Sequence, residues 1–429
     1  MNPRNHLIDL ARATSVLVVV TFHCLLYQLD VVDGLPVVVP WAPLPHAAWW
    51  TASWFVMIIP LFFISGGFAH ALVVDKLRDQ GRSYTYYLAS RAHRLVGPLS
   101  LFVGFCTALS TVGAWLGPSA TSIALSAQFA QLLWFIAVYL VIVGVAPFMV
   151  TLHDRLPWVP LLVLGALAIA VDAWSLMAGD FTVRYANLLL VWPFCHQLGV
   201  AYHRGWFRSG PAWVPALVLA GCAAAIAVLI FGFGYPASSI GLGDIPIANV
   251  LPPTVAMAIL GVAQACGLGL LERAAVARRL TRRTERGLAV ANALAVTTYL
   301  WHIPCIVLAG GLLFGISRLA PSATGPLTSQ LAMVLVTYAV IVLVIPVVGR
   351  LELALIPRLG DTPAPGVLPA YCLLVTGTGL IWRYGTVLHP DQPASALGLA
   401  LLGGGMTWLA RAAGAPPAVA AARRKPRID

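Results

Sequence analysis

LIDLARATSVLVVVTFHCLLYQL, residues 7–29, is a long apolar stretch interrupted by a few ionisable residues. Crossing a bilayer takes about 20 predominantly apolar residues, and this segment is long enough, yet it holds Arg12 and His23. An ionisable residue inside a membrane span is costly and usually faces a polar interior, a pathway or a reaction centre. At ~1.5 Å of rise per residue, the eleven steps from Arg12 to His23 cover roughly 16 Å of helix axis. Arg12 then falls near one surface and His23 in the opposite half. A plainer role fits the same residues: Arg12 snorkelling to the interface and His23 satisfied at a helix contact.

The rest of the 429-residue chain extends the pattern, being 60% hydrophobic and only 10% charged, with mean hydropathy +0.87. A soluble domain carries about 25% charged residues. The expected fold is all-α: a polytopic transmembrane helical bundle of about 12 spans. The segments are 7–29, 49–74, 95–116, 131–150, 158–178, 184–203, 212–233, 251–271, 288–316, 329–348, 367–386 and 395–412. Lysine and arginine favour cytoplasmic loops. With a cytoplasmic N-terminus, 23 of the 26 basic residues fall in inside segments, and only Arg184, Arg318 and Arg383 fall outside. Both termini are therefore expected in the cytoplasm. The formal charge of +11 is read as topology signal and anionic-lipid contact, and no nucleic-acid partner is expected. Asp9 and Arg12 interrupt the first segment, which is too long for a cleavable signal peptide. All seven cysteines fall within expected spans and read as buried thiols, without disulfides or a metal site.

Outside the spans, the inside loops 75–94 and 272–287 stand apart. The second, ERAAVARRLTRRTERG, has helical composition and suits the membrane surface. The outside loops 30–48 and 234–250 are rich in Pro and Gly, with Asp30, Asp33 and Asp244.

Several residues carry the chemistry. His23 has the right ordinary pKa for a general base. Arg91 and Arg94, in RAHR, stand three apart, which places them on one helical face. Two guanidiniums there suit a phosphate-bearing ligand, and equally suit membrane anchoring. FFISGGF (62–68) puts Ser65 and two glycines at mid-span, allowing close approach by a helix or a ligand. LWFIAVYL (133–140) is aromatic and apolar. TTYLWHIP (297–304) holds Tyr299 and His302 before Pro304, which kinks or opens a helix. Asn292 adds polarity to that span, and Asp172, Asn187 and His196 do so in the fifth and sixth.

In order and spacing these features resemble the acyltransferase-3 family of membrane acyltransferases, which includes O-antigen, nodulation-factor and macrolide O-acyltransferases. The residues that carry the resemblance are IDLAR with Arg12 and His23, the Phe-rich run into Ser65-Gly66, RAHR, LWFIAVYL and TTYLWHIP, spread over roughly residues 7 to 350. Family members usually have about ten core spans, so the resemblance implies a core at 1–350 and two additional transmembrane helices at 351–412; residues 413–429, Ala/Pro-rich and then basic, are expected to form a disordered cytoplasmic tail. The periplasmic esterase-like domain of some members has no counterpart here. The resemblance implies transfer of an acyl group, acetyl in the simplest case, from acyl-CoA to a hydroxyl of a sugar, glycan or small molecule. Acyl-CoA is then a donor substrate, and no bound cofactor is expected. On this reading His23 is the catalytic base and Arg12 assists it. Arg91, Arg94 and Ser65 bind the donor, and Tyr299, His302 and Asp172 the acceptor. The expected setting is a bacterial-type inner membrane, and the Ala/Val/Leu/Gly/Arg-rich composition suggests a high-GC genome. Two other classes fit the same polar residues: a proton-coupled secondary transporter, which inverted repeats would favour, and a non-catalytic membrane scaffold. The acyl chain, the acceptor and the oligomeric state are not legible.

Overall fold

The computed structural model describes residues 5–32, 35–40, 46–117, 119–241, 248–274, 280–320, 322, 324–356, 359–360 and 364–413. The acidic loop residues Asp33 and Asp244 and all but the first residue of the expected tail lie outside them. In chain order the elements are α1 (His6–Leu26), a hairpin of β1 (Tyr27–Val32) and β2 (Leu35–Pro40), α2 (His46–Val56), α3 (Ile59–Asp79), α4 (Tyr84–Leu116), α5 (Ser119–Ala130), α6 (Leu133–Arg155), α7 (Val159–Ala178), a 3-10 segment (Thr182–Leu189), α8 (Val191–His203), α9 (Trp213–Phe233), α10 (Val255–Arg273), α11 (Arg282–Ala293), α12 (Ala295–Leu319), α13 (Thr324–Leu327), α14 (Gln330–Leu355), α15 (Val367–Tyr384) and α16 (Pro393–Ala413). The protein is an all-α polytopic bundle. The hairpin, antiparallel from Tyr27 opposite Pro40 to Val32 opposite Leu35, occupies the loop after α1.

Among the described residues ten helices are long and apolar enough to cross a membrane. The other two expected spans take different forms. The sixth is broken into the 3-10 segment and the 13-residue α8. The eleventh is α15, 18 residues long, whose Thr376, Thr378 and Arg383 dilute its apolar character. The helices turn apolar side chains outward: α9 buries only Pro215 and Cys222. In water such a surface would aggregate; in lipid it is the solvent-compatible face. All seven cysteines are free thiols, six of them buried, but Cys372 on α15 is exposed. The expectation of seven buried thiols is corrected at Cys372, whose side chain lies on an uncovered part of α15 among the described residues.

The helices form two compact units, residues 1–75 with 145–345 and residues 76–144 with 346–429. In the first, α1 packs on α11 and α12, and α8 packs on α7 and α10. Leu7, Ile8, Ile64, Leu198, Tyr202 and Leu268 share its buried core. Gly67 and Gly199 bring α3 and α8 together: a Cβ on Gly67 would sit 1.8 Å from the His196 carbonyl oxygen, and one on Gly199 1.9 Å from that of Ile64. In the second unit α15 and α16 pair closely and pack on α4, and α15 also packs on α5. A Cβ on Gly377 would lie 2.5 Å from the Leu402 amide, so the α15–α16 seam uses small residues to close.

Polar contacts collect at two ends of the first unit. At one, Arg204 bridges Asp75 (2.6 Å) and Asp154 (2.8 Å), and His203 joins Asp75. The Asp75 carboxylate holds Arg204 even further above the usual guanidinium range. Arg208 and Asn5 meet Glu272, and Arg273 caps the carbonyls of Phe207, Ser209 and Gly210. At the other end Ser53 bonds Ser238 and Ser239, and the Trp54 indole donates to Ala237. Segments expected inside thus meet one another, as do segments expected outside. The broken sixth segment runs from the second end to the first.

Candidate active site

His23 lies on the last turn of α1 and His302 on the second turn of α12, and their ring centroids are 4.8 Å apart at 64°. Each Nδ1 reaches a backbone carbonyl of its own helix: His23 to Val19 at 2.8 Å, His302 to Tyr299 at 2.6 Å. A carbonyl only accepts, so Nδ1 of each ring carries the hydrogen, and a neutral ring then offers its lone pair at Nε2. The Nε2 of His302, a fully buried residue, has no hydrogen-bond partner. Aromatic rings frame the pair: Tyr299 lies 5.8 Å from His302, and Phe22, beside His23, stacks on Trp49. On α14, the Tyr338 hydroxyl meets Thr21 (2.7 Å) and the Leu17 carbonyl (3.0 Å) of α1.

Arg12 shares α1 with His23, about three turns nearer the N-terminus. It is half-buried and makes no hydrogen bond or ion pair among the described residues. Its surroundings are polar: Asn292 of α11 donates to the Asp9 carbonyl at 2.9 Å, and His6 faces Glu285 at 3.4 Å.

Asp172 belongs to a different cluster of the same unit. Its carboxylate accepts from Asn187 (3.0 Å), the Tyr235 hydroxyl (2.8 Å) and the Val255 amide (2.8 Å), and it faces Arg184 Nε at 3.6 Å. Phe181 and Tyr235 both lie within cation–π range of the Arg184 guanidinium. Burial, and then the Asp172 charge, pushes the Tyr235 hydroxyl up, so it stays a donor. The carboxylate is thus committed to the protein. Ser65 is likewise committed: its hydroxyl donates to the Leu61 carbonyl of its own helix at 2.9 Å, and the following Gly67 serves the contact with α8.

Arg91 and Arg94 belong to the second unit. The helix carrying them starts earlier than the expected span, at Tyr84, because Ser83 caps it by accepting from the Tyr86 amide. Both arginines therefore lie inside α4, one turn apart; Arg91 is half-buried and Arg94 exposed. In that unit LWFIAVYL forms the buried start of α6.

The structure thus brings together His23, Tyr299 and His302, leaves Arg12 on the same helix, and gives Asp172 and Ser65 other partners. Sequence reading did not foresee that His70 and His196 form a second buried imidazole pair, Nδ1 to Nε2 at 2.9 Å. Nor did it foresee that Arg184 and Tyr235 complete the Asp172 cluster. Polar residues within apolar spans were the only available signal, and that signal does not say which residues meet. No group of three or more His, Cys, Asp or Glu among the described residues is arranged to hold a metal ion.

A family model described as an acyltransferase domain matches residues 5–346. Comparison with curated proteins and with solved structures gives no match.

Proposed function

Because the chain belongs to the acyltransferase-3 family of membrane acyltransferases, we propose that it moves an acyl group, acetyl in the simplest case, from acyl-CoA to a hydroxyl of a carbohydrate or small-molecule acceptor. The observation that carries this reading is the His23–His302 pair, with both Nδ1 atoms committed to carbonyls and Nε2 left as the basic atom. His23 Nε2 takes the proton of the acceptor hydroxyl as its oxygen attacks the thioester carbonyl. The tetrahedral intermediate expels the CoA thiolate, and the proton on His23 passes to that sulfur, which restores the neutral imidazole. His302 and Tyr299 line the acceptor side. Arg12, an uncommitted guanidinium on the same helix, orients the donor or offsets its charge. Arg91 and Arg94 supply two charges on one helical face for the donor's phosphates. The setting is a bacterial-type inner membrane, with the donor on the cytoplasmic side.

The test is to incubate the purified protein with acetyl-CoA and longer acyl-CoAs, measuring free CoA and label transfer to a panel of hydroxyl acceptors. CoA release that disappears in His23→Ala supports the reading. No release from a folded protein with any acyl-CoA overturns the choice of donor.

A further inference from the structure

α11 presents two unlike faces. Glu285, Leu288 and Asn292 point toward α1: Glu285 meets His6, Leu288 is buried, and Asn292 bonds the Asp9 carbonyl. The opposite face, at i, i+3 and i+4 spacing, carries Arg282, Arg283, Arg286 and then Val290. All three arginines are exposed and make no hydrogen bond or ion pair among the described residues. Val290 is 59% exposed. The face thus grades from cationic to apolar in the direction of α12, a membrane span. Its helix sits on the start of α1, at the same end of the unit as the Asn5–Glu272 contact.

We propose that this face of α11 docks anionic phospholipid, with Arg282, Arg283 and Arg286 on the headgroup phosphates and Val290 against the upper acyl chain. Three observations favour lipid as the occupant. The arginines have no acidic partner among the described residues, the apolar step follows them on the same face, and the helix leads directly into a span. A cationic face with an apolar edge is the profile of an interfacial helix. Each arginine near an anionic surface strengthens association about fivefold. Because the other face of α11 holds α1, headgroup binding would steady the helix that carries Arg12 and His23.

The test uses the full chain in phosphatidylcholine nanodiscs. The seven cysteines are replaced, and Gly287→Cys, where a Cβ meets nothing within 4 Å, carries an environment-sensitive fluorophore. Lipids brominated high on the acyl chain are titrated in as phosphatidylglycerol or phosphatidylcholine. Phosphatidylglycerol should quench at a several-fold lower mole fraction, and added salt should shrink that preference. Arg→Gln at all three positions should abolish it, whereas Arg→Lys should keep it, since the headgroup is read as charge. Equal quenching by the two lipids, or a preference that survives in the Gln variant, overturns the proposal. Relief of phosphatidylglycerol quenching by adenosine 3′,5′-bisphosphate would assign the face to a soluble nucleotide and overturn it too.

Discussion

The first unit holds two histidine pairs, one fully buried and one partly so, and they are built differently. His70 and His196 bond each other across the α3–α8 seam, Nδ1 to Nε2 at 2.9 Å, where Gly67 and Gly199 close the gap. His23 and His302 sit as near, yet each bonds a carbonyl of its own helix and neither bonds the other. The first pair satisfies itself and pins two helices. The second keeps its Nε2 atoms out of the protein's own network, which leaves them able to accept a substrate's proton. The two pairs thus differ in what their ring nitrogens bond. Asp172 resembles the first pair in that its carboxylate is tied to Asn187, Tyr235, the Val255 amide and Arg184.

The largest expected effect tests that grouping. Asp172→Ala leaves the buried Arg184 charge without its partner and should cost about 3–5 kcal/mol, read as a fall in thermal stability in detergent. Unchanged stability with lost turnover would return Asp172 to the acceptor site, where the sequence first put it.

The contrast between the pairs comes next. His23→Ala should leave the fold intact and lower acyl transfer about 10²-fold or more. His196→Ala should instead cost roughly 1–3 kcal/mol of stability, while turnover per folded molecule stays near normal. Interchanged results would break the comparison.

Smaller effects belong to the second unit. Arg91→Ala and Arg94→Ala should each weaken acyl-CoA binding by roughly 1.5–3 kcal/mol, with only partial rescue by Lys, which lacks the planar fork. Titration with CoA and dephospho-CoA at two salt concentrations is the measurement, and unchanged affinity would make RAHR an anchoring motif alone.

A last experiment leaves activity untouched and fixes the side from which each substrate reaches the histidines. Single cysteines at Gly241 and Gly287, in a cysteine-free background, are labelled on intact cells with an impermeant thiol reagent. Gly241→Cys should react at once, and Gly287→Cys only after lysis. The reverse order would invert the orientation.

The sequence by itself determined that this is a helical membrane protein, where most spans begin and end, and which segments share a side. These follow from local quantities, apolar length and the placement of basic residues, that each stretch carries alone. It also placed Arg12 and His23 on one helix, because their separation along a helix is fixed by rise. It was silent where a neighbour decides: the Ser65 hydroxyl bonds the Leu61 carbonyl beside the α3–α8 seam, and Arg184, Asn187, Tyr235 and the Val255 amide surround Asp172. Only the tertiary structure set His302 against His23 and bonded His70 to His196. A hydropathy profile treats every buried imidazole alike. The Nδ1 bonds of His23 and His302 are local to their own helices, but which imidazoles meet depends on helix packing across long sequence separations, and no single segment encodes it.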